Sequence, residues 1–154
     1  MTEAVVAGAY AVAALNGAAG LLGAGIWYRG DPTGSAARAF WIALRVGQGS
    51  ALLFAIAVGV LAAAGKHASE NLFYLYALVP LAVAFVAEQL RVASAQTILD
   101  QRGLASSAEV GLLPEAEQHE LLVAVVRREL GVMALSALVV AGLALRAAGT
   151  AHGF

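Results

Sequence analysis

Arg45, the pair Glu88 and Arg91, and the run Arg127-Arg128-Glu129 are the residues of this chain best equipped for chemistry. Each interrupts a long apolar run. A guanidinium is planar, permanently charged and matched to bidentate capture of a carboxylate or phosphate, and a nearby carboxylate can neutralise or orient it. Ionisable groups close to hydrocarbon are costly, so they turn toward a bundle interior, a wet cavity or one another. Arg45 and Gln48 stand three residues apart and share a helical face, as do Glu88 and Arg91. Gly47, Gly49 and Ser50 surround Gln48 and leave room for another backbone or a ligand to approach. Four arginines against two glutamates give this layer a net charge of +2, so guanidinium is left over if both carboxylates are paired. The candidate ligand-binding set is therefore Arg45, Gln48, Glu88, Arg91, Arg127, Arg128 and Glu129. Its chemistry is capture of an anionic head group whose tail lies among helices; no residue is assigned a catalytic role. Arg127 and Arg128 point about 100° apart on a helix, so both cannot face the bundle axis and one is expected to snorkel to lipid phosphate. The plainer reading of the same residues is that the arginines set membrane orientation and the glutamates neutralise them.

Composition sets the solvent. Hydrophobic residues make up 61% of 154 and charged residues 12%, with a mean hydropathy of +0.81; a soluble domain carries about 25% charged residues. So much Leu, Ala and Val cannot be hidden in a soluble core of this size, and the chain is read as lipid-embedded. A formal net charge of −1 argues against nucleic-acid binding. The absence of cysteine excludes disulfides, thiolate metal sites and a cysteine nucleophile. The Ala/Gly bias with a single lysine points to a bacterial source and a cell-membrane protein.

Four runs are long enough to span, since a helix needs about 20 apolar residues. The fold expected is all-α: one integral membrane four-helix bundle over residues 1–154, up-down-up-down, with spans at about 4–28, 37–64, 72–101 and 115–148. Helices three and four are expected to run past the cytoplasmic interface. The first run lacks a basic leader and is read as a retained helix rather than a signal peptide. Asp31-Pro32-Thr33-Gly34 has turn chemistry, with Ser35 expected to cap helix two. Residues 65–70 form a short polar link and residues 103–113 a long one, after which Pro114, Glu115 and Glu117 suit a helix start. Counted from the opposite ends of their runs, Arg45, Glu88 and Glu129 all fall at a depth of roughly 24–29 Å, just inside one edge of a 30 Å core.

Arg29, Arg38, Arg91, Arg102, Arg127 and Arg128 gather around the first and third loops, against Lys66 and Arg146 at the other end. That excess marks the cytoplasmic side and puts both termini outside a plasma (inner) membrane. Trp27, Tyr28, Phe40 and Trp41 would gird the inner interface, and Phe73, Tyr74 and Tyr76 the outer one. Gly8, Ala9, Ala13, Gly17, Gly20 and Ala24 pave helix one with small residues, which serve either close packing within the monomer or a homo-oligomer. Asn16, Pro80 and Ser136 lie near mid-span, where a proline kink with Asn16 bonded between helices is expected, and none can relay a proton. His67, His119 and His152 lie in connections, a terminus or a helix start and do not form a metal or haem site. No nucleotide-binding loop, nucleophile elbow or HExxH zinc motif is present.

This layout resembles the membrane-associated eicosanoid and glutathione metabolism family, trimeric four-helix proteins that bind glutathione near the cytoplasmic face. Arg45 matches the first position of that family's Arg-x-x-x-Asn-x-x-Glu pattern, while Gly49 and Leu52 occupy its Asn and Glu positions. Arg91 stands near the family's helix-three arginine, with Val92 and Ala95 in place of its tyrosines. The resemblance implies glutathione as a possible cofactor, with Arg45, Arg91 and Arg128 stabilising a thiolate or phosphate and Glu88 orienting them. Three functions follow: a module binding a lipid-like anion or a partner subunit, a glutathione- or lipid-modifying enzyme, or a small channel or exporter. The uncharged midplane argues against the third. No cofactor is evident from the residues themselves, and membrane lipids are the expected partners.

Overall fold

The computed structural model describes residues 2–29, 32–104 and 107–153, and of Ser107 the backbone alone. These residues form five helices and no strand: α1 (Thr2–Arg29), α2 (Ser35–Ala63), α3 (Asn71–Gln101), the one-turn α4 (Ser107–Val110) and α5 (Glu115–Thr150). The four long helices are each long and apolar enough to cross a membrane. α4 falls in the long connection at 103–113, where the sequence reading places no helix. Of the turn expected at 31–34, Asp31 lies outside the described residues.

Two helix ends are written in glycine. Gly65 (φ 77°) and Gly103 (φ 71°) follow α2 and α3 in the left-handed conformation. In each case the glycine N–H and the N–H one residue on reach back to close the helix: Gly65 to Ala62 O and Lys66 to Leu61 O, Gly103 to Asp100 O and Leu104 to Leu99 O, all at 3.0 Å. This is the Schellman arrangement, which satisfies carbonyls a helix end leaves without partners. At the start of α2 the expectation needs correcting. Ser35 is already helical, and Gly34 (φ −73°, ψ 179°) is the capping residue, with no side-chain bond to the freed N–H groups. Its carbonyl takes the Ala37 N–H at 3.1 Å.

The packing is built from small residues. α1 lies against α2 and α5, α3 lies against α5, and α2 meets α3 over a smaller surface. At one end Val5, Ala9, Val58, Phe73, Ala77, Ala147 and Ala148 pack together; Val12, Ala13, Ala51, Val140 and Ala144 fill the middle. At the other end Ile26, Phe40, Leu44, Ala87, Leu130 and Met133 close the core. Of the small residues of α1, Ala9, Ala13 and Gly20 are buried within the chain, as is Gly23, while Gly8, Gly17 and Ala24 are half-buried. A methyl on Gly20 would lie 2.7 Å from the Leu138 side chain. The outer surface is apolar as well, with Leu21, Leu53 and Phe85 each about two-thirds exposed.

Asn16 is the polar link at mid-height. Its Nδ2 donates to Val12 O at 2.9 Å within α1 and to Gly47 O at 3.0 Å on α2. A methyl on Gly47 would lie 2.8 Å from Asn16 Oδ1, whereas one on Gly49 would meet nothing within 4 Å. Gly47→Ala is therefore expected to displace the amide and lower stability by about 1–2 kcal/mol, while Gly49→Ala should be neutral or stabilising by helix propensity. Denaturation in detergent micelles reads the difference; equal stability of the two variants would contradict it. α3 runs through Pro80, which is buried, without interruption. Ser136 Oγ donates to Met133 O at 2.8 Å, inside its own helix.

α3 and α5 are the longest helices, 31 and 36 residues. Arg102 of the α3 cap meets Glu120 of α5 at 3.2 Å, and Gln118 Nε2 donates to Leu113 O at 2.7 Å. Ile98 and Leu121 are buried there, while Leu122 is exposed. At the opposite end the 65–70 link is tied to the C-terminal segment, where Ser69 donates through N at 2.8 Å and through Oγ at 3.0 Å to His152 O.

Candidate anion-binding site

The rotation of α2 and α3 about their own axes decides which charges meet. Phe40, Leu44 and Gly47 take the buried face of α2, so Arg45 and Gln48 fall at its edge toward α3. Ala87 and Ser94 take the buried face of α3, which sets Glu88 and Arg91 at the matching edge. Arg45 Nη1 is 2.5 Å from Glu88 Oε1 and donates also to Gln48 Oε1 at 2.7 Å. Gln48 Nε2 donates to Glu88 Oε1 at 3.4 Å, and Arg91 Nε lies 3.4 Å from Glu88 Oε2. Glu88 is thus the hub, bridging two helices whose apolar contact is slight. Arg91 is held from a second side, its guanidinium lying 5.6 Å from the centroid of the Trp41 ring. Trp41 in turn stands edge-on to the buried Phe40.

Four of the seven residues singled out from the sequence therefore come together, and three do not. Ile26, Phe40, Leu44, Leu130 and Met133 pack between the two groups, so the layer is split rather than gathered on one axis. Arg127 Nη2 donates to the Trp27 carbonyl at 3.3 Å, in the last turn of α1. Arg128 is exposed and lines a groove between α1 and α5. Glu129 is half-buried and forms no ion pair among the described residues.

Beside the Glu88 hub lies a hollow of about 720 Å³ on the outer face of α2, lined by Pro32, Thr33, Arg38, Trp41, Ile42, Arg45 and Val46, among others. Arg38 and Arg45 are seven residues apart, two turns on one face, with Trp41 and Ile42 between them. Arg38 has no partner among the described residues, and Nε and Nη2 of Arg45, half of whose side chain is exposed, have no protein acceptor there. From between them, Ile42, Val46 and Leu53 continue along α2 as an exposed apolar strip, interrupted by Gly49. Arg38 and Trp41 escaped the sequence reading because each has an ordinary role, one in orientation and one in the aromatic belt. The i, i+3, i+7 spacing of Arg38, Trp41 and Arg45 is the signal that links them.

Among the described residues no group of three His, Cys, Asp or Glu side chains is placed to hold a metal. Comparison of the chain with known protein families, curated proteins and solved structures finds no match.

Proposed function

We propose that this is an integral membrane protein, its four long helices crossing up-down-up-down with both termini outside a plasma membrane, that holds an anionic amphipath on the cytoplasm-side edge of α2. The Arg-rich first and third loops support that orientation. In it, α3 and α5 carry on past the inner interface as a short stalk. The observation that carries the ligand reading is the hollow flanked by Arg38 and Arg45, whose unsatisfied N–H groups stand above an apolar strip. A phosphate or carboxylate would sit between the two guanidiniums, with its tail along Ile42, Val46, Gly49 and Leu53. Glu88 and Gln48 fix Arg45 in place, so little side-chain entropy is lost when an anion arrives. Arg45 and Arg91 are both turned to Glu88, which favours this binding role over one in which they jointly hold a thiolate.

The two tryptophans make the test local, because Trp27→Phe leaves Trp41 as the sole reporter beside the hollow. Vesicles of dibrominated phosphatidylglycerol should quench Trp41 more than vesicles of dibrominated phosphatidylcholine. Arg38→Gln and Arg45→Gln should each reduce that preference about five-fold, the ~1 kcal/mol of one arginine near an anionic surface. Equal quenching by the two lipids, or a preference untouched by both substitutions, would refute the reading.

A further inference from the structure

The α1–α5 groove has a different construction and lies across the core from the α2 hollow. It is an open cleft of about 450 Å³ between Ala24 and Trp27 of α1 and Arg128, Gly131, Leu135 and Leu138 of α5. Gly131 shapes it: a methyl there would lie 3.1 Å from Trp27 Nε1 and 3.2 Å from Cδ1, so the indole rests directly over the α5 backbone. Arg127 holds the same residue from above by donating to the Trp27 carbonyl. The indole forms one wall of the groove and is half exposed. At the mouth stands Arg128, exposed and with no ion pair or hydrogen bond among the described residues. Below it, Ala24, Val132, Leu135 and Leu138 offer only apolar surface.

A cation at the opening of an apolar channel, beside an indole, is complementary to one kind of molecule: an anion attached to a hydrocarbon chain. Unpaired guanidinium at the edge of hydrocarbon is costly unless it finds such a counter-charge, and none is supplied among the described residues. We infer that the α1–α5 groove is a seat for an anionic phospholipid of the surrounding bilayer, its phosphate on Arg128 and one acyl chain against Trp27, Gly131 and Leu135. This seat is separate from the α2 hollow and does not depend on it.

The inference is tested with Trp41→Phe, which leaves Trp27 as the only tryptophan. In vesicles of dibrominated phosphatidylglycerol, Trp27 should be quenched with an apparent affinity about five-fold above that for dibrominated phosphatidylcholine. Arg128→Gln should bring the ratio to one, and because Arg128 forms no ion pair or hydrogen bond among the described residues the helix content and melting temperature should stay unchanged. Arg38→Gln and Arg45→Gln should leave the Trp27 ratio as it is, so the two seats fail or stand independently. The inference is overturned if both lipids quench Trp27 equally, if the preference survives Arg128→Gln, or if Trp27 is shielded from both lipids, as it would be under a second protein surface.

Discussion

Replacing Gly23 with alanine is expected to lower stability by about 2 kcal/mol, although glycine-to-alanine inside a helix ordinarily gains about 1 kcal/mol. The added methyl would lie 2.5 Å from Phe40 Cε2 on one side and 2.7 Å from the Ala134 methyl on the other. Neither neighbour can yield cheaply. Phe40 has no exposed surface and stands against Trp41, and Ala134 is carried directly on the α5 backbone. Overpacking of this kind costs about 1–3 kcal/mol or more, and here α1 is pinched between α2 and α5 at once. Shrinking the ring should relieve one side: Phe40→Leu in the Gly23→Ala background should restore about 1 kcal/mol relative to the sum of the single changes. Denaturant titration in micelles measures all four proteins. Strict additivity would mean that α1 and α2 are not held apart by this contact.

The same contacts explain which parts of the molecule could be read from the sequence. Helix existence and extent were legible because a long uncharged run is unambiguous and because Gly65 and Gly103 stand where helices end. The start of α2 was misread because Ser35 is a good cap by type, and only the backbone shows that Gly34 already occupies that place. What the sequence could not provide was the rotation of each helix about its own axis. In a soluble protein the apolar stripe reveals it, but here every face is apolar. Rotation is set instead by where a helix lacks side chains: at Gly20 and Gly23 toward α5 and α2, at Gly47 toward Asn16, and at Gly131 beneath Trp27. Those partners are remote in sequence. Depth could be counted along each run, and Arg45 and Glu88, which the count sets level with each other, do meet. Direction could not, and the level divides into the Glu88 hub and the Trp27 groove.

Glu88→Gln should move stability and ligand preference in opposite directions. The carboxylate receives Arg45 at 2.5 Å and Arg91 at 3.4 Å, so losing its charge leaves two neighbouring guanidiniums without their shared counter-charge. An exposed ion pair is worth about 0–1 kcal/mol and breaking a buried one costs about 3–5 kcal/mol. With the Glu88 side chain 27% exposed and that of Arg45 53%, an intermediate loss of about 2 kcal/mol is expected. Glutamine keeps the shape, so the hub is discharged without opening a cavity. An anion in the α2 hollow then meets Arg45 without its internal competitor, and the preference of Trp41 for anionic over zwitterionic lipid should rise several-fold, as one added net positive charge implies. Removing both charges with Arg45→Gln and Glu88→Gln should recover most of the stability and none of the preference. A purely neutralising role for Glu88 predicts the stability change alone. A lipid preference that falls in Glu88→Gln would instead make the carboxylate part of what the ligand recognises, and the Arg38–Arg45 assignment would have to be abandoned.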